Sequence, residues 1–272
     1  MAEAKRRTAA RPLVLCYHAV DSSWRSPLSI PEEILVSHLS TLKRRGYVGL
    51  TFAESERRRR AGTLPERCVV VTFDDGYAST IGVKPILDDL AWPATVFVLT
   101  KFVDSGEPMS FRGSDPWTES HPEQMKSLDW TTLEGLAAAG WEVGSHTVSH
   151  PVLLEVDDER LRVELNLSRE RIAERLGTCE TIAYPYGVAD ARVAAAARTA
   201  GYFAGCTLTP AHRVDEPYRR ARVGLAAKDE GWRRWAKLSP TIGRLRRTWL
   251  AGALEPIHFR GRVPAATPDG LP

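Results

Sequence analysis

A distorted, incomplete α/β barrel, (β/α) in type and of about seven parallel strands, is the fold this sequence predicts. An open doubly wound sheet is the second choice. Short apolar segments alternate with amphipathic ones along most of the chain, which favours βα units and a covered parallel sheet. The run Cys68-Val69-Val70-Val71-Thr72-Phe73 shows no polar alternation and reads as a strand buried on both faces. The chemically distinctive residues His18, Asp74, Asp75, His146 and the Tyr184-Pro185-Tyr186 segment each follow an apolar run. They therefore gather at strand C-terminal ends, where barrels of this kind carry their chemistry.

Taken in order, residues 13–17 form a first strand that ends at His18. Pro31 opens a helix to about residue 45, with Ile34, Leu35, Leu39 and Leu42 on one face and Gly46 closing it. Residues 47–52 suit a strand. The four arginines 57–60 read as a solvated helix face or loop, with a phosphate or acidic-substrate role as the weaker alternative. After the central strand, residues 81–90 are helical and 94–99 extended. Residues 101–127 are a long polar insertion, expected to wall the site because loops of that length are uncommon without a function. A helix at 131–139 leads to the strand 141–144. Residues 157–176 form an amphipathic helix with Leu161, Leu165, Leu167, Ile172 and Leu176 among its apolar positions, and Gly177 ends it. A strand at 181–184, a helix at 189–200 and strands at 202–206 and 222–225 complete the domain.

The 272 residues divide into a basic tail (1–11), the barrel domain (12–228) and a basic, aromatic extension (229–272). In the extension, Trp232, Trp235 and their arginine neighbours allow two readings. One is an amphipathic helix lying peripherally on an anionic membrane surface. The other, which we favour, packs the tryptophans on the barrel and turns the arginines to water. Residues from Arg260 onward are expected to be disordered. A formal net charge of +3 is too small to imply a nucleic-acid partner. No stretch nears the ~20 apolar residues of a membrane span. The residues before Pro12 lack the apolar core of an export signal, so a cytoplasmic location is expected. Cys16, Cys68, Cys179 and Cys206 form no CxxC pair and read as reduced and non-catalytic.

An Asp-Gly pair alone is an ordinary turn. Here Asp74-Asp75-Gly76 at one strand end is matched by His146 and His150 after another. Two imidazoles and a carboxylate suit a catalytic divalent ion with an open position. Zinc fits this donor set, with cobalt, nickel or manganese as alternatives, better than magnesium does. Asp75 would then be the third ligand, leaving Asp74 to take a proton from water as general base. The histidines share the i, i+4 spacing of a zincin but have no glutamate between them, so the base must lie elsewhere.

Thr72-Phe73-Asp74-Asp75-Gly76-Tyr77 and Ser145-His146-Thr147-Val148-Ser149-His150-Pro151 resemble the first two motifs of the polysaccharide deacetylases, carbohydrate esterase family 4, with its NodB homology domain. The resemblance covers roughly residues 13–225. It implies a distorted (β/α) barrel and metal-dependent hydrolysis of N-acetyl or O-acetyl groups on a carbohydrate or sugar conjugate. By motif position it implies Asp74 as base and Asp75, His146 and His150 as ligands. The third motif, usually Arg-x-Pro-Tyr, here resembles Ala183-Tyr184-Pro185-Tyr186-Gly187, a form found in a subset of the family. Alanine thus replaces the arginine that would orient the base, while the Tyr186 backbone N–H remains available to an oxyanion. The late Leu-x-Leu-His motif that supplies the general acid is not evident, and Ile257-His258 is its nearest echo. His18, in Leu15-Cys16-Tyr17-His18, is the preferred substitute, against a merely structural role. Two other readings stay open: hydrolysis of another linear or cyclic amide, and an inactive carbohydrate-binding homologue that has lost its catalytic arginine and acid.

Overall fold

The computed structural model describes residues 11–208 and 216–239. Its strands are β1 (Leu13–Tyr17), the two-residue pieces β2 (Ala19–Val20), β3 (Ser29–Ile30) and β4 (Val48–Gly49), then β5 (Cys68–Phe73), β6 (Thr95–Val98), β7 (Glu142–Ser145), β8 (Thr181–Ala183), β9 (Ala204–Thr207), β10 (Arg220–Ala221) and β11 (Val223–Gly224). All strands of the main sheet pair in parallel, in the order β10-β9-β8-β7-β6-β5-β1-β11, with β4 added beside the start of β5. β10 pairs with β9 and β11 with β1, and Arg222 alone separates them. One strand thus spans the seam, and the sheet is nearly closed into the expected distorted barrel. The helices are α1 (Glu32–Arg44), α2 (Phe52–Ala61), α3 (Lys84–Asp89), α4 (Thr100–Ser105), α5 (Asp115–Ser120), α6 (Trp130–Ala138), α7 (Asp158–Leu176), α8 (Ala191–Thr199) and α9 (Gly231–Leu238).

Strand alternation sorts the core into two compartments. Leu15, Tyr17, Val69, Val71, Phe73, Val96, Val98 and Ile182 pack outward under the helices. Their neighbours Val14, Cys68, Val70, Phe97, Ala183, Ala204 and Cys206 form a separate cluster with Phe52 of α2, which is the barrel interior. Phe97 fills much of that space because residue 144 is glycine. A Cβ there would stand 2.6 Å from the Phe97 ring and 2.9 Å from Thr181 Oγ1. The N-terminus of α2 closes the far end. Phe52 N–H donates to Thr95 Oγ1 at 2.9 Å and Ala53 N–H to Glu142 Oε2 at 2.8 Å.

Several elements differ from expectation for local reasons. The strand expected at 47–52 shrinks to β4, because Thr51 caps α2 by accepting from Glu54 N–H at 3.3 Å. The arginine run lies on α2 and is committed to the fold. Arg57 pairs with Glu180, Arg58 with Glu54 and Arg59 with Glu56, while Arg60 donates to the Phe203 carbonyl and stacks 3.6 Å over its ring. These contacts leave the phosphate alternative without support. The helix expected at 81–90 begins as a 3-10 turn (Ala78–Val83) and becomes α3. The 101–127 insertion carries α4 and α5 and its own apolar cluster, in which Met109, Met125 and Phe102 pack with Trp24 and Tyr77. Leu167, expected on the apolar face of α7, is 51% exposed.

The extension reverses the favoured reading. Trp232 and Trp235 of α9 point to solvent, while Arg234 donates to Ser37 of α1 and Lys237 pairs with Asp229 at 2.7 Å. The expected N-terminal tail, apart from Arg11, the expected disorder from Arg260 and the Ile257-His258 echo lie outside the described residues.

His38 ties α9 to the barrel. It is fully buried; Nε2–H donates to the Asp229 carbonyl at 2.8 Å, so Nδ1 accepts from the Tyr17 hydroxyl at 3.2 Å. Burial pushes its pKa below the usual histidine value, against the opposing pull of Asp229. The unfolded chain, with histidine near 6.5, therefore binds a proton first as pH falls. Stability attached to neutral His38 is intact above about pH 6.5 and declines below it, by at most about 1.4 kcal/mol per pH unit. Thermal melts between neutral and mildly acidic pH should show this loss, and His38→Gln should flatten it.

Candidate active site and metal centre

Four carboxylate and imidazole groups meet at the C-terminal mouth of the barrel. Asp74 and Asp75 follow β5, and His146 and His150 follow β7; all four are buried. Their backbones are unusual. Asp75 (φ 66°), Thr147 (φ 76°), His150 (φ 64°) and Tyr186 (φ 58°) adopt the left-handed region, leaving Ala91 as the remaining non-glycine residue to do so among those described. Each such residue costs about 1–3 kcal/mol unless its surroundings impose it. At β5, Gly76 (φ 74°) makes the turn possible, since a Cβ there would lie 2.8 Å from Val98 Cγ1. At β7, buried Glu164 of α7 holds the turn. It accepts from Val148 N–H at 2.8 Å, Ser149 N–H at 3.0 Å and Ser149 Oγ at 2.6 Å. Ser145 Oγ accepts from Thr147 N–H, and Thr147 Oγ1 from His150 N–H. The histidine spacing thus belongs to a pinned turn.

Asp75, His146 and His150 present ligand atoms that all lie within 4.8 Å of one another. Asp75 Oδ1 stands 3.3 Å from His146 Nε2 and 3.5 Å from His150 Nε2, yet it is buried without a hydrogen bond. Two ligands bound at 2.0–2.1 Å to a tetrahedral ion stand about 3.3 Å apart, so this spacing fits three donors around one small cation. His146 Nδ1–H donates to the Ala183 carbonyl at 2.8 Å, which leaves Nε2 as the lone-pair nitrogen. Burial pushes His150 down to about 3, keeping its imidazole neutral and able to ligate. In His146 burial also works against the charged form, but Asp74 and Asp75 outweigh it and raise the pKa. The carboxylate of Asp75 is held below its usual range, burial being outweighed by the two histidines.

Asp74 has a different partner. Arg222, in the seam strand, grips it in a two-pronged pair, Nη1 to Oδ1 at 2.6 Å and Nη2 to Oδ2 at 2.7 Å. Nη1 also donates to Thr72 Oγ1 at 3.0 Å, and the guanidinium lies 5.6 Å over the Phe97 ring. Cys16 Sγ–H donates to Asp74 Oδ2 at 3.3 Å. Burial alone would raise the Asp74 pKa, but Arg222 and then His146 reverse this and hold the carboxyl well below its ordinary range. The arginine expected at position 183 is thus replaced by one 39 residues later, which sequence reasoning missed. The available signal was Arg220-Ala221-Arg222-Val223, a basic and apolar alternation in the last strand, with both arginines buried.

His18 reaches the same mouth. A ring nitrogen lies within 4.8 Å of both Cys16 Sγ and an Asp74 carboxylate oxygen, and the side chain is half-buried. Tyr186 sets its ring edge-on to His150, with centroids 4.6 Å apart, and donates its hydroxyl to the Arg112 carbonyl at 3.0 Å. Phe111, from the 101–127 insertion, also packs against His150, with ring centroids 4.1 Å apart. The insertion therefore does form a wall of the site.

Fold and site together define a barrel hydrolase class, with a carboxylate–imidazole cluster at the mouth and a second, arginine-held carboxylate beside it. Sequence comparison identifies the family: the polysaccharide deacetylase profile matches residues 61–205. The chain belongs to the polysaccharide deacetylase family, enzymes that hydrolyse acetyl groups from sugar polymers. It is 26% identical over 230 residues to the Bacillus subtilis protein named "Putative polysaccharide deacetylase YxkH", covering 84% of this chain and 70% of that one. It is 29% identical over 120 residues to the poly-beta-1,6-N-acetyl-D-glucosamine N-deacetylase of Escherichia coli, covering 42% of this chain and 18% of the larger protein. Among solved structures, the Streptococcus pyogenes deacetylase PplD in complex with acetate superposes with a TM-score of 0.72 at 22% identity, over 86% of this chain and all of that one. IcaB from Ammonifex degensii gives 0.64 at 24% identity, over 87% and 97% of the two chains.

Proposed function

We propose that this chain is a divalent-metal-dependent deacetylase acting on an N-acetylated sugar, free, conjugated or polymeric. The observation that carries the proposal is the convergence of the buried Asp75 Oδ1 with two imidazole nitrogens, 3.3 and 3.5 Å away, beside an arginine-gripped Asp74. Asp75, His146 and His150 would hold the ion, with zinc the best match to one oxygen and two nitrogen donors. When bound, such an ion lowers the pKa of water to about 7 and polarises a carbonyl.

The remaining work falls to the chain's own groups. Asp74, fixed in its ionised form, accepts the proton of water as the water oxygen attacks the acetyl carbon. The Tyr186 backbone N–H is assigned to donate to the carbonyl oxygen as it gains charge. His18 gives a proton to the departing amine nitrogen as the C–N bond breaks, releasing acetate and the free amine. A strongly acidic carboxylate is a weak base towards ordinary water, but the mismatch narrows once the water itself is acidified. Arg222 supplies Asp74 with an arginine partner, one of the two groups whose apparent loss left an inactive homologue open.

Acetate release should be measured from N-acetylglucosamine oligomers, UDP-N-acetylglucosamine and a lipid-linked analogue, with zinc, with cobalt and after chelation. Metal-dependent release from at least one is expected. His146→Ala should lose both bound metal and turnover. Full metal content in that variant would refute the ligand assignment. Metal bound without acetate from any of them would redirect the site to other amides.

A further inference from the structure

The outward face of α9 has no use in the catalytic reading. Of the described tryptophans, Trp24, Trp92, Trp130 and Trp141 are buried and Trp117 is half-buried. Trp232 and Trp235 instead stand 74% and 53% exposed, one helical turn apart on one face. The helix beneath them is anchored. Leu238 is fully buried, Arg234 donates to Ser37, and Lys237 Nζ donates to the Gly224 carbonyl and to Asp229, each at 2.7 Å. The indoles are therefore presented outward by a docked helix. Arg233 lies 5.7 Å over the Trp232 ring and extends the same exposed patch.

Charge identifies what this face meets. Beyond Asp229 and Glu230, residues 231–250 hold six basic and no acidic side chains, of which Arg234 and Lys237 are taken up by the contacts above, together with a third tryptophan, Trp249. Outside that stretch the chain has 31 basic against 34 acidic residues, so the net positive charge comes from this stretch of the sequence. Indoles with one apolar body and one polar N–H favour the headgroup region of a bilayer, and arginines beside them favour anionic lipid. α9 has eight residues, and no helix among the described residues is long and apolar enough to cross a membrane, so contact would be in the plane of the interface. We propose that Trp232, Trp235 and Arg233 seat the protein on an anionic lipid surface. This is the reading of the extension set aside above, restored by the outward tryptophans, and it is independent of the catalytic assignment.

Flotation of the full chain should be compared on vesicles of pure phosphatidylcholine and of equimolar phosphatidylcholine and phosphatidylglycerol. The protein is expected to float with the anionic vesicles and to be released by high salt. The double variant Trp232→Ala/Trp235→Ala should lower binding by about tenfold or more, because interfacial affinity scales with buried apolar area. Its melting temperature should be unchanged, since both side chains are exposed. Absence of flotation on anionic vesicles at low salt overturns the proposal, as does binding that the double variant leaves intact. A dimer in solution that the double variant dissolves, without vesicle binding, would make this face a protein interface and also overturn it.

Discussion

Arg222→Met is expected to be among the most damaging single substitutions in this chain. The wild-type pair is buried on both sides and bonded through two prongs, with Thr72 Oγ1 taking a further bond from Nη1. Removing the guanidinium leaves the buried Asp74 carboxylate at the barrel mouth without its cation, and breaking a buried pair in this way costs about 3–5 kcal/mol. In a chain of this size that corresponds to a fall of roughly 10 °C in melting temperature. The pH dependence distinguishes this cause from simple loss of packing. In the wild type, the depressed Asp74 pKa contributes stability above the unfolded value near 3.9, and that contribution is lost as pH falls. In Arg222→Met the burial of Asp74 goes unopposed by its main partner, so its pKa rises above the unfolded value and stability falls as pH rises. The gap between the two proteins should therefore be widest near neutrality and close towards acid. Arg222→Met/Asp74→Asn should recover much of the stability and none of the activity. A constant gap across pH would show that Arg222 acts by volume alone.

What the sequence revealed, and what it hid, follows from the distance over which each group acts. Asp74-Asp75-Gly76 and His146 to His150 are short runs whose chemistry lies within one turn of chain, so type and spacing identify them. Arg222 is separated from Asp74 by 148 positions, and the contact exists because the last strand closes the seam between β9 and β1. Motif spacing directed attention to Ala183, which instead offers its carbonyl to His146. The barrel was legible because its strands are apolar on both faces, whereas α4 and α5, six residues each, carry too little periodicity to be recognised. The tryptophans of α9 misled in another way. Hydrophobicity argues for burial, but Leu238 and the polar contacts of Arg234 and Lys237 already secure that helix.

Four site residues in the left-handed region add a physical reason for the surrounding network. Asp75, Thr147, His150 and Tyr186 are held against their own backbone preference. Glu164 offsets part of that cost by taking three hydrogen bonds from the 148–149 segment. Strain of this kind aims side chains that relaxed turns would direct elsewhere, so the ligand triangle depends on α7 as well as on the strands.

Asp74→Asn is the substitution expected to separate catalysis from metal binding. Asparagine keeps the shape and an oxygen for one Arg222 prong but accepts no proton from water at neutral pH. Loss of a general base lowers turnover by about 10²–10⁴-fold. The three ligand atoms come from Asp75, His146 and His150, so zinc stoichiometry should be unchanged in this variant. Asp75→Asn and His146→Ala should instead release the ion. The variant does leave the Arg222 charge partly uncompensated, so its melting temperature should be measured and assays run well below it. Under those conditions kcat should collapse while KM moves little, because Asp74 is assigned to the reacting water and to no part of the sugar. If Asp74→Asn lost zinc together with activity, Asp74 would belong to the metal's ligand set, and the division of labour between the two aspartates would have to be redrawn.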